Sequence, residues 1–589
     1  MVKKRWDIYP SPPQSFFDEF AELPASVASL LYNRNLRTQE QIDEFLNPDY
    51  SQDIHDPYLF KDMEKAVTRI FYAIEHNERI VVHGDYDADG VSASVILVST
   101  LKALGHDNVD IFIPHREIDG YGLNKNTVNI LLEEQTNLII TCDCGISNVE
   151  ETTYAQDNGI DVIITDHHTI PQTLPPAYAI IHPKIDGEQY PYKDLAGGGV
   201  AFKLMQGLLN KHKETHDILV NGKTHESHEK WLLDMVAIAS VADMVPLIGE
   251  SRTLTKYGLI VLNKAQRIGM KKLLMEARIM ETDETLKREI TTDTIGFQIG
   301  PRINAAGRIN HANVAFHLFM TDKGTDAVDL AYELNQNNID RQKMTEELLG
   351  KSINIIETEK SDSPIIFVCG KNWPTGLVGL IASRLKEKYY KPSIVMAHNG
   401  DEITGSGRSI DGFNIIESFQ EIPDVFKKFG GHPMACGFTL GNPDILETFK
   451  TKLQEKYYEK TKEKDMTAIL HIDAEINLDE VDWELYDILN KFKPFGIANP
   501  KPHYLAHNVE VFSIQAMGKE NNHMRLSLRT KKGAIKKAIG WQFCDDNNET
   551  NWCDILKPKD KINIVFDINV NEWNGNRELQ LMIIDIKKA

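Results

Sequence analysis

Residues 83–90 read His-Gly-Asp-Tyr-Asp-Ala-Asp-Gly, which sets Asp85, Asp87 and Asp89 two apart, with His83 two positions ahead. Carboxylates this close repel one another in a packed protein unless a cation sits among them. Three more segments end apolar runs with ligand types: Cys142-Asp143, Asp166-His167-His168 and Ala242-Asp243. Carboxylates with a minority of imidazoles favour Mn²⁺ or Mg²⁺ over Zn²⁺. Five or more carboxylates exceed what one ion needs, so two ions about 3.5–4 Å apart are expected. Such a pair clamps the attacking and leaving oxygens of a phosphoryl transfer and lowers the pKa of a bound water. No Ser-His-Asp arrangement or Walker P-loop competes for the role. The bland alternative is that an Asp after a strand caps the next helix. That would account for Asp85 or Asp166, and Asp243 could cap a turn before Pro246. Four such segments in one chain make a purely structural reading of the set the weaker one.

The elements that must position these residues can be read from periodicity. Segments 80–83, 109–113, 138–141, 162–165 and 179–181 are short, apolar and β-branched, as buried parallel strands should be. Helical patterns at 127–134 and 149–158 fall between them. The fold class expected is α/β, with a doubly wound parallel sheet whose strand ends converge on one edge. Three strand ends, and the helix end at Asp243, would then aim at one point. A long helix at 326–358 links to a second α/β module with strand 365–369, helix 377–389 and strand 393–396. Five strands near the end (509–514, 524–528, 534–540, 561–569 and 579–586) suit a small OB-like barrel. The expected organisation is a helical extension at 1–75, a catalytic domain at 76–325, a connecting helix at 326–358, a second α/β domain at 359–460 and a barrel at 465–589.

A chain of 589 residues needs several cores. Its net charge of −21 argues against a general nucleic-acid coat. The charge is uneven, however: residues 501–589 carry 14 Lys and Arg against 11 Asp and Glu. There, Arg525, Arg529, Lys531, Lys532, Lys536 and Lys537 follow one another with no acid between them, which suits a phosphate backbone as well as it suits a solvated face. Six cysteines without a C-x-x-C pair predict reduced thiols in a cytosolic protein. Zinc at Cys142 and Cys144 is disfavoured by the hard ligands around them. His212, His216, His225 and His228, within 211–230, read as a polar surface insertion. No apolar run is long enough to cross a bilayer and no signal peptide follows Met1, so a cytoplasmic location with no membrane association is expected.

Taken in order, the segments HGDYDADG, TCDCGIS, TDHHT and VADMVPL resemble the motifs of the DHH phosphoesterase superfamily, and within it those of the RecJ-type single-strand-specific exonucleases. The likeness continues through Ile113-Pro114-His115-Arg116 with Gly120-Tyr121-Gly122-Leu123, through GPRINAAGR at 300–308, through GGHPMACGF at 430–438 (similar to the DHHA1 motif), and through Lys493-Pro494-Phe495-Gly496 with Asn499-Pro500. The resemblance implies metal ligation by Asp87, Asp89, Asp143, His167 and Asp243, with Asp143 bridging. His83 would join them, and Asp85 is the least required. His168 would face the scissile phosphate. Arg116, Tyr121, Arg302, Asn304 and Arg308 fall in substrate segments. Ser406 and Arg408 would hold the 5′ end, and His432 would contact phosphate. Two departures stand out: Trp373-Pro374-Thr375-Gly376 lacks a His that the family often has, and Gly407 replaces a common Ala, a nearly isosteric change expected to be tolerated. The implied activity is 5′→3′ degradation of single-stranded DNA to 5′-mononucleotides by two Mn²⁺ or Mg²⁺ ions, in DNA repair and recombination. A RecQ-type helicase and a single-strand-binding protein are the implied partners of a monomer. The rivals are a phosphodiesterase of short RNA or cyclic dinucleotides, which would resemble only the two-lobe core, and a non-catalytic replication scaffold, which would have lost ligands.

Overall fold

The computed structural model describes every residue except Met1, Glu117, Ile118, Asn310, Lys360, Ser361, residues 546–549 and Asn574. The chain forms two compact units: Gln39–Arg341 with Phe492–Pro500, and Met1–Thr38 with Gln342–Lys491 and Lys501–Ala589.

In the first unit, strands β1 (Ile80–Gly84), β2 (Val109–Phe112), β3 (Leu138–Cys142), β4 (Asp161–Thr165) and β5 (Ala179–Ile181) form an all-parallel sheet ordered β2-β1-β3-β4-β5. Every residue of β1 and β3 is buried, so these strands read as continuous apolar runs. With β2 on one side of β1 and β3 on the other, the chain switches direction there and opens a crevice at the carboxyl ends. Register decides what lines it. Gly84 pairs with Cys142, and Cys142 pairs with Thr165. The next residue on each strand is therefore Asp85, Asp143 or Asp166.

The helices of this unit used below are α1 (Ala88–Ala103), α2 (Lys125–Glu133), α3 (Val149–Asp157), α4 (Gly197–Lys213), α5 (His225–Trp231), α6 (Leu233–Ala242) and α7 (Gly300–Ile309). Helix α1 is buried on nearly every side and packs against α4 and α6. A helix that is apolar all round belongs in a core rather than on a surface. The segment Phe492–Pro500 joins this unit although it lies far along the sequence. Buried Arg252 donates to the carbonyls of Phe45 (2.9 Å), Phe492 (2.9 Å) and Lys493 (3.0 Å).

A 36-residue helix, α8 (Gly324–Glu359), carries the chain onward. In the second unit, β6 (Ile366–Lys371), α9 (Thr375–Tyr389), β7 (Ser393–Asn399), β8 (Glu402–Arg408), β9 (Phe426–His432) and β10 (Ala435–Leu440) build a mixed sheet ordered β9-β10-β8-β7-β6. Strands β11 (Tyr504–Met517), β12 (His523–Arg529), β13 (Ile535–Gly540), β14 (Lys561–Trp573) and β15 (Asn576–Lys588) follow in the order β11-β12-β13-β15-β14, and β14 pairs back to β11. That closure makes an OB-like barrel without free edges. No helix among the described residues is long and apolar enough to cross a membrane.

Three expectations need correction. Residues 1–75 do not form one extension, because Met1–Thr38 joins the second unit, where Lys4–Ile8 pairs with Ala468–Ile472. The cysteines are not all reduced: Cys544 and Cys553 form a disulfide, their Cα atoms 5.2 Å apart across a loop of the barrel. The His-rich stretch is not a solvated insertion. His212, His225 and His228 are buried, because the end of α4 and the whole of α5 pack there, and His216 alone of the four is exposed.

Candidate metal centre

Asp87 caps α1, accepting the N–H groups of Asp89 (2.9 Å) and Gly90 (3.1 Å) on Oδ1. The capping role falls to Asp87 rather than to Asp85, and it leaves the second Asp87 oxygen outside the cap. Asp89, the second residue of α1, is engaged elsewhere: its two oxygens accept the N–H groups of Gly198 (2.6 Å) and Gly197 (2.8 Å) at the start of α4. A helix N-terminus stabilises such a carboxylate. Gly197 must be glycine, since a Cβ there would lie 2.5 Å from the Asp143 side chain. The run Gly197-Gly198-Gly199 was the signal for this contact, and sequence reasoning passed over it.

Asp143 follows β3 in the left-handed region, at φ 62°, with its N–H on the Thr165 carbonyl (3.0 Å). This turn directs its carboxylate into the crevice. His167 Nε2 lies 3.1 Å from Asp143 Oδ1, 3.6 Å from Asp243 Oδ2 and 3.7 Å from Asp89 Oδ2. Asp243 enters from the C-cap of α6. Three overlapping clusters result: Asp143, His167 and His168; Asp89, His167 and Asp243; and Asp85, Asp87 and Asp143. Asp143 and His167 each belong to two of them. His83 belongs to none. It is buried, stacked on Phe112 and 3.6 Å from Cys144 Sγ.

The electrostatics are those of a site built for positive charge. Burial, then Asp89, Asp87, Asp85 and Asp243, push the Asp143 carboxyl well above the usual range. Burial and neighbouring carboxylates raise Asp85 and Asp89 in the same way. Asp243 is raised to about 7 by burial and Asp87. His167 is lowered to about 3 by burial and the charge of His168. Asp85 Oδ1 is buried without a hydrogen-bond partner, and Asp143 Oδ1 and His167 Nε2, although 3.1 Å apart, are not aligned to bond each other and have no other hydrogen-bond partner. Orphaned lone pairs in a carboxylate-rich crevice fit a pair of hard divalent cations.

Asp166 has a different task. Burial would raise it, but the hydrogen bond and charge of His168, with the Ile146 N–H, hold it at about 2. Its Oδ1 receives His168 Nδ1 at 2.8 Å. That contact outweighs burial and raises His168 to about 9. The Tyr121 hydroxyl lies 3.1 Å from His168 Nδ1. Tyr121 also donates to the Asp143 carbonyl (3.0 Å). Cys142 and Cys144 are buried thiols, Cys142 pushed up to about 12 by burial, and neither enters the cluster.

The pieces of the chain match known families in the same order. The DHH family N-terminal domain matches residues 79–240, the DHHA1 domain 362–459 and the RecJ OB domain 472–585. The single-stranded-DNA-specific exonuclease RecJ of Bacillus subtilis (strain 168) is 36% identical over 590 residues, covering 99% of this chain and 71% of that protein. RecJ of Escherichia coli (strain K12) is 30% identical, covering 97% of each. This chain belongs to the RecJ family. The crystal structure of RecJ from Thermus thermophilus in complex with Mn²⁺ aligns with a TM-score of 0.81 at 26% identity, covering 99% of this chain and 80% of that one. An exonuclease RecJ bound to manganese aligns with a TM-score of 0.56 at 30% identity, covering 69% and 98%.

Within this RecJ-family chain the substrate-type residues separate by environment. In the first unit, the Arg116 guanidinium lies 5.0 Å from the Tyr86 ring centroid. Arg302 donates to the Gln298 carbonyl (2.7 Å) and to Asn335 (3.1 Å), and Asn304 accepts the Ala88 N–H (2.7 Å). Those contacts brace α1 and α7. Arg308 ends α7. In the second unit, Arg408 on β8 donates to Ser406 Oγ (2.7 Å) and the Gly407 carbonyl (2.8 Å). Among the described residues no carboxylate pairs with Arg408, and burial lowers its pKa. A half-buried guanidinium of this kind suits an anion. His432 closes the exposed strand β9. Trp373, at the first departure, is buried against Gly370. In the barrel the basic stripe is not free of acid: Arg529 pairs with Glu510 (3.2 Å) and Lys537 with Glu578 (2.8 Å), both from neighbouring strands. Among the described residues no ion pair holds Arg525, Lys531 or Lys532.

Proposed function

We propose that this chain is a metal-dependent exonuclease that removes 5′-mononucleotides from single-stranded DNA in the 5′→3′ direction, in DNA repair and recombination. The observation that carries the reading is the convergence of Asp85, Asp87, Asp89, Asp143, Asp243 and His167, with orphaned buried lone pairs, at the switch point of the sheet. The relatives from Bacillus subtilis and Escherichia coli are single-stranded-DNA-specific exonucleases by name, which supports the substrate. Asp85, Asp87, Asp89, Asp143, His167 and Asp243 would hold Mn²⁺ or Mg²⁺, which would supply positive charge for an in-line phosphoryl transfer.

The protein's own groups do the remaining work. The Gly197 and Gly198 N–H groups fix Asp89. The Tyr121 hydroxyl and Asp166 orient His168, whose N–H then donates to a phosphate oxygen as negative charge grows there. Within the second unit Ser406, Arg408 and His432 are the phosphate-binding groups of this reading and the barrel its strand-binding surface, through base stacking and backbone charge; within the first unit Arg116 is a phosphate-binding group. A RecQ-type helicase and a single-strand-binding protein belong to this reading as partners, the protein acting as a cytoplasmic monomer.

Digestion of a long single strand labelled at either end, with Mn²⁺, tests the reading. Rapid release of the 5′ label as a mononucleotide, with duplex of the same sequence untouched, is the expected result. Faster cleavage of dinucleotides than of the long strand would replace it with a short-substrate phosphodiesterase. No Mn²⁺-dependent cleavage of any substrate would replace it with a binding scaffold.

A further inference from the structure

A second group of possible ligands lies at the far end of α4 from Asp89. Helix α4 ends at Lys213, α5 begins at His225, and the connection returns three imidazoles to one place. His212 Nδ1 and His225 Nε2 are 2.9 Å apart. The His212 and His216 rings stack with centroids 4.3 Å apart. His212 and His225 are 7% and 5% exposed, so this nitrogen pair is shielded from water.

The backbone explains the convergence. The His212 carbonyl accepts the N–H groups of both Thr215 (3.2 Å) and His216 (3.0 Å). The chain therefore makes a further turn beyond α4 and brings His216 onto the same side, four residues on. Thr224 caps α5 through the Ser227 N–H (3.2 Å), which sets His225 at the first helical position. The remaining histidine is engaged elsewhere, with His228 Nε2 3.3 Å from Thr100 Oγ1.

Two imidazoles facing nitrogen to nitrogen share one proton between them, and a cation can take that proton's place. Zn–N bonds of about 2.0–2.1 Å in tetrahedral geometry set ligand nitrogens about 3.3 Å apart, so the pair needs to open by only about half an ångström. His216 is at the surface with its ring stacked on that of His212 and its Nδ1 on the Thr215 hydroxyl (2.9 Å); to serve as a third ligand it would turn its ring out of that stack, leaving the fourth position to solvent. All-imidazole donors suit Zn²⁺, Cu²⁺ or Ni²⁺, whereas the catalytic carboxylates suit Mn²⁺ or Mg²⁺. We propose that His212, His216 and His225 bind one Zn²⁺-class ion that fastens the connection between α4 and α5.

The test uses the untagged full-length protein, titrated with Co²⁺ under excess Mg²⁺ and, separately, with Zn²⁺. One equivalent showing the strong visible absorption of tetrahedral Co²⁺ is expected in wild type and in Asp143→Asn, and none in the double variant His212→Gln/His225→Gln. His216→Gln, a surface change that does not threaten folding, should weaken Zn²⁺ binding by about 10–100-fold while Mn²⁺-dependent nuclease activity stays at the wild-type level. A wild-type titration with no tetrahedral equivalent overturns the proposal. So does a His216→Gln titration indistinguishable from wild type, or a signal lost in Asp143→Asn.

Discussion

At Asp143 burial and four neighbouring carboxylates all disfavour the charged form, while its Oδ1 has no hydrogen-bond partner. Asp143→Ala should lower Mn²⁺-dependent kcat by at least about 10³-fold, worth about 4 kcal/mol of barrier. The same change should abolish the rise in Tm that Mn²⁺ produces and leave the metal-free Tm no lower than wild type. Activity near wild type would remove Asp143 from the reaction. The pH dependence follows from the same crowding. A carboxyl raised in the folded state keeps protons that the unfolded chain has released above about pH 4, so stability falls as pH rises through that window. Asp243, raised to about 7, extends the window to near neutrality. Asp166, held at about 2, works in the opposite sense and its contribution is lost only in strong acid. Buried His83 and His167, held low by burial, add stability only as pH rises to about 6.5, so the Tm of EDTA-treated protein should decline above about pH 6.5, towards pH 8, and Mn²⁺ should reverse most of the decline. A flat metal-free profile would contradict the crowding. The ligand residues were legible because each follows an apolar run. The division of labour between Asp87 as cap and Asp85 as an orphaned carboxylate was not, since three Asp at spacing two look alike until the turn is built.

Strand β8 shows how an element can narrow a substitution. Gly407 stands where Ala is common, a change expected to be tolerated. In this chain a Cβ at 407 would lie 2.6 Å from Ile415, 2.8 Å from Cys436 Sγ and 2.9 Å from Ile394. The neighbouring side chains have filled the space. Gly407→Ala should then cost about 1–3 kcal/mol, read as a lower urea midpoint with an unchanged m-value. A variant as stable as wild type would mean that the three side chains repack freely. The parallel strands of the first unit were readable to within a residue or two, because burial on both faces makes them unbroken apolar runs. The His-rich connection was misread because α4 and α5 supply the burial that the local sequence lacks.

For the whole molecule, charge is distributed by position rather than by total. A net charge of −21 coexists with a barrel segment in which basic residues outnumber acidic ones. The acids that neutralise Arg529 and Lys537 come from neighbouring strands, which a linear reading of 525–537 cannot see. Lys531 and Lys532 lie outside those pairs. Changing both to Ala should weaken single-strand binding and reduce the slope of log affinity against log salt by about 1–2. An unchanged slope would exclude them from the strand's path. Fold class, most of the residues that converge in the crevice and the order of the modules could be read along the chain, because strand ends, caps and apolar runs are local properties. Other features arise only once the chain is folded: Gly197 and Gly198 on Asp89, the sharing of Asp143 between clusters, the seating of Phe492–Pro500 beside Arg252 and the meeting of His212 with His225. Each joins residues distant in sequence, and their proximity is set by strand register and helix packing rather than by any local pattern.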